Sequence, residues 1–210
     1  MHSAPVLFRM RKAILALRKN DPVIGRLIDR VGPYRIRYIE PDFEALVKAI
    51  VYQQLSGKVA AAIFGRLTGA MPDGGLTPED LLRLTAARMR SLGLSRQKID
   101  YIRGLAKLVR SGKLNLEELK EVSDEEAMRK LTAVKGIGSW TAHMFLIFAL
   151  RRPDVVPSGD LGIRAAVRKA YGMQDLPPPG EVEVLARKWS PYSTVACWYL
   201  WRSQEPDANL

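Results

Sequence analysis

The sequence of 210 residues predicts an all-α protein. Three observations support this: apolar residues recur at the spacing of a helix, capping residues precede those runs, and short Gly/Pro breaks separate them. The segment 34–39 is the one stretch with the character of a short extended piece. About ten helices with short connections are therefore expected.

The helices can be assigned in order along the chain. Within 41–67, apolar side chains recur every three or four residues. Thr77 precedes a proline and two acidic residues, which is typical of a capped helix start. Ser95 precedes the periodic run 99–108, and Ser123–Glu126 has the form of a capping box. Each of these features predicts a helix.

The excess of basic residues indicates a polyanionic partner. The chain has 33 Lys and Arg against 22 Asp and Glu, a formal net charge of +11. Nucleic acid is the first candidate partner and an anionic membrane surface the second. Between 129 and 172, eight basic residues stand against Asp154 and Asp160, so this part of the chain carries a net +6.

The cysteine count and the apolar stretches exclude several classes of protein. The single cysteine, Cys197, leaves no internal disulfide framework, no four-cysteine zinc site and no iron–sulfur cluster. Residues 1–10 lack the apolar core of a signal peptide. The most apolar stretch, 142–150, is about half the ~20 residues that a transmembrane helix needs. We therefore expect a soluble intracellular protein, cytoplasmic and nucleoid-associated in a prokaryote, with no membrane partner.

A glycine-rich turn at 131–142 is the most unusual local sequence. Gly136 and Gly138 stand between two helical patterns, and without Cβ atoms they let another chain approach the backbone. The amides that follow open a helix, and Lys135 adds a cation, an arrangement that binds phosphate without reading base sequence. A plain turn between two helices is the alternative for such a motif.

An isolated carboxylate follows on the same basic segment. Asp160 stands at the head of a predicted helix, between Gly159 and Gly162. It is either a simple helix cap or a functional acid, and capping can be part of both roles. Beyond it, 189–201 is rich in aromatic residues, which form a core or line a slot of the size of a base.

The combination of 131–142, 157–160 and 189–201 resembles the helix-hairpin-helix DNA glycosylases, above all their AlkA-like 3-methyladenine DNA glycosylase II branch. The stretches 49–56 and 92–98 are similar to that branch as well. The resemblance implies an all-helical glycosylase fold of two packed subdomains with a DNA-binding cleft between them.

The same resemblance implies how the chain is divided. One subdomain, a helical barrel with the hairpin, is expected at 42–150, and the other at 1–41 together with 151–210. The chain 1–210 then forms one compact unit. No separate N-terminal β-domain is expected, since about 40 residues before the resemblance begins are too few for one.

The resemblance also implies roles for individual residues. Asp160 matches the catalytic aspartate. The base pocket is expected at Trp140, Trp201 and Met144. DNA contacts are expected from Lys135, Gly136, Gly138, Ser139, Ser95 and Arg164. Either Gln54 or Leu55 matches the residue that fills the gap left by the extruded base. A sodium or potassium ion is expected at the hairpin on the main-chain carbonyls of Thr132, Val134 and Ile137. Ser95 could instead serve only as a helix cap. Lys135 and Arg164 could instead be solvated surface residues without a DNA contact.

One position predicts the subclass. Relatives that also cleave the strand have a nucleophilic lysine two residues after the second hairpin glycine, where this chain has Trp140. We therefore expect a monofunctional enzyme without lyase activity and without a required cofactor.

The expected function is base excision repair by a monomer that acts on double-stranded DNA. The enzyme would flip out alkylated purines of the 3-methyladenine and 7-methylguanine type and hydrolyse the N-glycosidic bond, leaving an abasic site. Two alternatives remain at this point. One is a non-catalytic helix-hairpin-helix DNA-binding protein; the other is a glycosylase of the same fold for oxidised, deaminated or mismatched bases.

Overall fold

A computed structural model describes residues 3–72 and 75–205, with side chains from residue 10 onward. Within these residues the chain forms thirteen helices and no strand, so the all-α prediction is confirmed. The expected number of about ten was too low. Two helices of six and four residues, α6 (Ala86–Ser91) and α8 (Glu118–Glu121), are too short to produce a recognisable apolar period. No helix in the described part of the chain is long and apolar enough to cross a membrane.

The helices have the following bounds: α1 Ser3–Asn20, α2 Pro22–Val31, α3 Phe43–Tyr52, α4 Gly57–Thr68, α5 Pro78–Arg83, α6 Ala86–Ser91, α7 Arg96–Arg110, α8 Glu118–Glu121, α9 Asp124–Thr132, α10 Ser139–Phe148, α11 Leu161–Tyr171, α12 Pro179–Ala186 and α13 Ser193–Arg202. They belong to two compact units. The hairpin unit is Tyr38–Arg151, and the aspartate unit is Met1–Arg37 together with Arg152–Leu210.

The hairpin unit is built around α3. The periodic stretch 41–67 forms two helices, because the chain turns between Tyr52 and Gly57, where Gln54 has a positive φ of 57°. Helix α3 packs against α4, α7 and α10. Its core residues are fully buried, among them Leu46, Val47 and Ile50. This core fixes the loop that follows α3 relative to the turn that precedes α10.

The predicted helix starts of this unit are confirmed by their capping bonds. The hydroxyls of Thr77, Ser95 and Ser123 each accept a hydrogen bond from the backbone amide three residues later, at 3.1, 3.2 and 3.3 Å. Each cap satisfies an amide that has no partner inside its helix. Ser95 is therefore the N-cap of α7.

The aspartate unit contains α1, α2, α11, α12 and α13 around one apolar core. The segment expected to be extended lies partly in this unit and joins no strand. Its side chains alternate nonetheless, since Tyr34 and Ile36 pack against the core whereas Arg35 and Arg37 are exposed. This alternation is typical of an extended segment, although the segment has no partner strand in the described residues.

Aromatic residues of the C-terminal region form part of that core. Trp189, Trp198 and Tyr199 are all buried, and burial raises the pKa of Tyr199 to about 12. Cys197 is fully buried beside them, with its Sγ 3.9 Å from the carbonyl oxygen of Val155. Burial raises the pKa of this thiol far above its usual range, which keeps it protonated and unreactive.

A buried carboxylate connects three segments of the aspartate unit. Asp21 is 2% exposed and caps α2, accepting hydrogen bonds from the amides of Val23 at 2.9 Å and Ile24 at 3.4 Å. Its other oxygen accepts from the hydroxyl of Tyr171 at 2.5 Å and from the indole of Trp189 at 3.1 Å. Buried charge is tolerated only with such full pairing.

Removal of this carboxylate is expected to destabilise the protein strongly. Asp21→Ala deletes a helix cap and leaves two buried donors without their acceptor, so we expect the free energy of unfolding to fall by about 3 kcal/mol. Urea unfolding monitored by circular dichroism measures the change. Ser123→Ala removes an exposed cap and serves as the control, with an expected loss of about 1 kcal/mol. Equal losses for the two variants would contradict the role assigned to Asp21.

Candidate active site

The hairpin turn lies between α9 and α10 and is held tightly at its first glycine. Gly136 has a φ of +96°, and a Cβ at this position would lie 2.4 Å from the ring of Tyr101. No other residue fits there. A Cβ at Gly138 would meet nothing within 4 Å. The first glycine therefore serves the packing of the protein itself, and the second leaves open space in front of the backbone.

The hairpin borders a cavity of about 610 Å³ in the hairpin unit. Most of the expected DNA-binding and cation-binding residues of this unit line it, namely Gln54, Thr132, Val134, Lys135, Gly136, Ile137, Gly138 and Trp140. Trp140 is 49% exposed, although an indole is more often buried. The site thus presents a cation, open backbone and an accessible aromatic face together.

The cavity is also lined by residues to which the sequence assigned no role, among them Gln53, Lys98 and Tyr101. Gln53 Nε2 donates to the carbonyl oxygen of Gly136 at 2.9 Å and lies 3.3 Å from Thr141 Oγ1. The side chain therefore connects the loop after α3 to the hairpin. The stretches 49–56 and 92–98 were noted for their resemblance, but contacts between positions 83 residues apart have no local signal.

Lys98 fixes the other side of the same loop. Its Nζ donates to the carbonyl oxygens of Val51 at 2.6 Å and Gln53 at 2.8 Å, at the C-terminus of α3. A cation at this end of a helix is favoured by the helix dipole. Burial lowers the pKa of Lys98, which shows that the ammonium group is partly removed from water. The loop that carries Gln54 and Leu55 is thus held by two side chains.

Other expected site residues of this unit lie outside the lining of the cavity. Leu55 is 38% exposed, and Ser139 is exposed in the first turn of α10. Met144 is half-buried on the same helix, and Ser95 caps α7. Both Gln54 and Leu55 are exposed, so both stay candidates for the residue that enters the DNA.

In the aspartate unit, Asp160 is paired with Trp201. The indole Nε1 of Trp201 donates to Oδ1 of Asp160 at 2.9 Å. The same oxygen accepts the backbone amide of Ile163 at 2.8 Å, so Asp160 is also the N-cap of α11. The two bonds fix the orientation of the carboxylate at the start of α11. Trp201, expected as an aromatic wall, is thus also a hydrogen-bond donor.

Gly162 makes this pairing possible. A Cβ at Gly162 would lie 3.0 Å from Asp160 Oδ1 and 3.3 Å from Cδ1 of Trp201. Gly162 therefore allows the indole ring to approach the first turn of α11 closely. At Gly159 a Cβ would meet nothing within 4 Å.

Arg164 is oriented by the backbone of its own unit. Its Nε donates to the carbonyl oxygen of Pro177 at 2.8 Å, and the side chain is half-buried. This bond fixes the position of the guanidinium group one turn after Asp160. Contact between Arg164 and DNA stays a prediction.

The carbonyl oxygens expected to hold an alkali cation are chemically suited to it. Thr132, Val134 and Ile137 follow one another around the hairpin, and neutral backbone oxygens are good ligands for hard cations. The carbonyl of Val134 accepts the amide of Ile137 at 3.0 Å and retains a second lone pair. Within the described residues, no group of three His, Cys, Asp or Glu side chains could hold a metal ion.

Comparison with known proteins agrees with this geometry. Residues 47–191 match the HhH-GPD superfamily, described as base excision DNA repair proteins, and this match covers more than half of the chain. The chain belongs to the HhH-GPD superfamily. As a member, it is similar to DNA-3-methyladenine glycosylase 1 of Schizosaccharomyces pombe, with 36% identity over 206 residues that cover 95% of this chain and 90% of the relative.

Two solved structures are similar to this HhH-GPD protein over almost its full length. The 3-methyladenine DNA glycosylase of S. pombe in complex with abasic DNA has a TM-score of 0.83 and 38% identity, covering 93% of this chain and 98% of the other. DNA-3-methyladenine glycosidase from Bacillus halodurans has a TM-score of 0.85 and 36% identity, covering 94% and 91%. These likenesses confirm the helix-hairpin-helix glycosylase fold.

Loss of the Gln53 bridge is expected to loosen the hairpin. Gln53→Ala removes the donor to the carbonyl of Gly136, so the free energy that keeps the turn closed should fall by about 1 kcal/mol. Hydrogen exchange at the amide of Ile137, which closes the turn, should become roughly fivefold faster. Gln54→Ala, one residue along and exposed, should leave this rate unchanged. The same acceleration in both variants would contradict the bridge.

Proposed function

We propose that this HhH-GPD protein is a DNA glycosylase of base excision repair that acts as a monomer on double-stranded DNA and releases alkylated purines. The Asp160–Trp201 pair carries the proposal, because a protein that only clamps DNA needs no oriented carboxylate. The similarity to glycosylases named for 3-methyladenine supports the choice of substrate class. The protein would act in the compartment that holds chromosomal DNA.

In this reaction Asp160 stabilises charge on the sugar. As the glycosidic bond breaks, positive charge develops on the deoxyribose, and a fixed carboxylate lowers the energy of that state. Two donors on Oδ1, from Trp201 and Ile163, hold the carboxylate in one orientation. Electrostatic stabilisation is therefore its main role, and orientation of the attacking water is the second.

Alkylated purines fit the remaining features of the site. Bases such as 3-methyladenine and 7-methylguanine carry a positive charge, which weakens the glycosidic bond and reduces the need for an acid catalyst. The exposed face of Trp140 can stack on such an electron-poor ring and attract its charge. Extrusion of the base costs a few kcal/mol, less for a damaged base, and Gln54 or Leu55 would fill the vacated space.

The hairpin would hold the DNA backbone beside the lesion. The amides after Gly138 open α10, and Lys135 is exposed at the same turn. Such helix starts bind phosphate independently of sequence. An alkali cation held by the carbonyls of Thr132, Val134 and Ile137 would add positive charge there, and no other cofactor enters the proposal.

Trp140 stands where strand-cleaving relatives would have their lysine, and an indole cannot form a Schiff base with the sugar. The product would therefore be an intact strand with an abasic site. Incubation with methylated DNA tests both parts: chromatography should find released 3-methyladenine and 7-methylguanine, and gel electrophoresis should find no nicks until the abasic site is cleaved with alkali. Absence of released base would contradict the proposal, and nicking before alkali would contradict the monofunctional assignment.

Replacement of Asp160 by asparagine should abolish catalysis with the fold intact. Asparagine still caps α11 and still accepts from Trp201, but it carries no charge, so base release should slow by at least ~100-fold. Affinity for abasic DNA should be retained. Asp175→Asn, an exposed carboxylate of the same unit, is the charge-matched control. Undiminished release by Asp160→Asn would exclude the assigned role.

Replacement of Trp201 by phenylalanine separates its donor from its aromatic ring. Trp201→Phe keeps an aromatic face but loses the hydrogen bond to a charged acceptor, which is worth about 1.5–3 kcal/mol, so single-turnover base release should slow by roughly tenfold or more. DNA affinity should change little. Trp140→Phe, which removes no bond to Asp160, should have a smaller effect on the rate. Equal effects of the two variants would show that Trp201 acts only by stacking.

A further inference from the structure

Two neighbouring cavities of the aspartate unit share an unusually basic lining. One, of about 250 Å³, lies between α2, α11 and the residues after α13, and the other, of about 560 Å³, lies beside the segment that follows α2. Arg30 lines both. We call the two cavities together the arginine groove; their basic residues are Arg26, Arg30, Arg35, Arg37, Lys169 and Arg202.

Little negative charge opposes these cations. Arg202 pairs with Glu205. Within the described residues, the other five have no carboxylate within ion-pair distance, and all five are exposed. Basic residues kept close together without acidic partners repel one another and favour a bound polyanion. The hairpin does not account for them, since it belongs to the other unit.

The segment after α2 gives the groove a regular row of charges. Tyr34 and Ile36 anchor the segment in the core, so Arg35 and Arg37 must both point outward. Alternate residues of an extended chain are about 6–7 Å apart. Two arginines with this backbone spacing can each bind a phosphate of their own, with the paired N–H donors that suit phosphate oxygens.

The groove and the Asp160–Trp201 pair share helix α13. Trp201, which donates to Asp160, is followed directly in the chain by Arg202, which lines the groove. The floor beneath this end is Trp198, whose ring packs against Tyr34 with centroids 4.7 Å apart. The groove is thus lined in part by α13, the helix that also carries Trp201, and has a packed aromatic side chain beneath it.

We infer that the arginine groove binds phosphates of the duplex DNA that flanks the reacting nucleotide, as a second backbone contact besides the hairpin. The occupant is a nucleic-acid backbone and not a membrane, because the basic side chains of the lining are exposed whereas its larger apolar residues, Leu27, Val31 and Trp198, are buried. The inference rests on the DNA partner of the proposed function and not on base release.

The double variant Arg35→Gln/Arg37→Gln tests this inference. Both side chains are exposed, so the fold should be kept, which thermal unfolding checks. Affinity for a long undamaged duplex is measured over a series of salt concentrations. Loss of two phosphate contacts should lower the slope of log K against log salt by ~2, with the same effect on duplexes of different sequence.

The control variant loses the same number of positive charges at positions outside the groove. Arg83→Gln/Arg110→Gln neutralises two exposed arginines of α5 and α7, outside the groove, and should keep the slope of the unaltered protein. An unchanged slope for the groove variant overturns the inference, even if its binding to another polyanion such as heparin falls. An equal decrease in both variants overturns it too, since only net charge would then matter. The measurement uses undamaged DNA, so failure here is distinct from failure of base release, which Asp160→Asn reports.

Discussion

Helix α11, which begins next to Asp160, is fixed at its other end by a hydrogen bond to a second aspartate, Asp21. Asp21 is buried, and it accepts hydrogen bonds from the start of α2, from Tyr171 at the end of α11 and from Trp189. Helix α11 runs from Leu161 to Tyr171, so fixing its last residue fixes the direction of its first turn. The helix that presents Asp160 is thus fixed at its other end by a buried carboxylate.

In the hairpin unit, too, side-chain hydrogen bonds hold the functional segments in place. Gln53 and Lys98 attach a loop to backbone carbonyls, and Tyr101 fills the space that the missing Cβ of Gly136 leaves. In both units the functional groups are thus held by directed hydrogen bonds to the backbone or to a neighbouring carboxylate. Groups held in place before the DNA arrives need little reorganisation during the reaction, which is the condition for efficient electrostatic catalysis.

The sequence was sufficient for features that depend on neighbours along the chain. A local sequence signal marks helix caps such as Ser95, the hairpin glycines and the isolated Asp160. The longer helices are predicted by apolar residues that recur every three or four positions. The bonds from Trp201 to Asp160 and from Gln53 to Gly136 join residues 41 and 83 positions apart, and only the folded chain brings them together. For the same reason Trp201 was assigned by its ring alone, and its donor was missed. Short helices such as α8 could not be predicted, because four residues make barely one helical turn and show no apolar period.

The burial of Cys197 has a practical consequence for watching the protein at work. The chain has no other cysteine, and this thiol is both inaccessible and protonated. A cysteine introduced at an exposed position would therefore be the single site of reaction with a maleimide dye. Fluorescence transfer between such a dye and one on the duplex would follow DNA bending and nucleotide extrusion in real time, without first removing a native residue from the core.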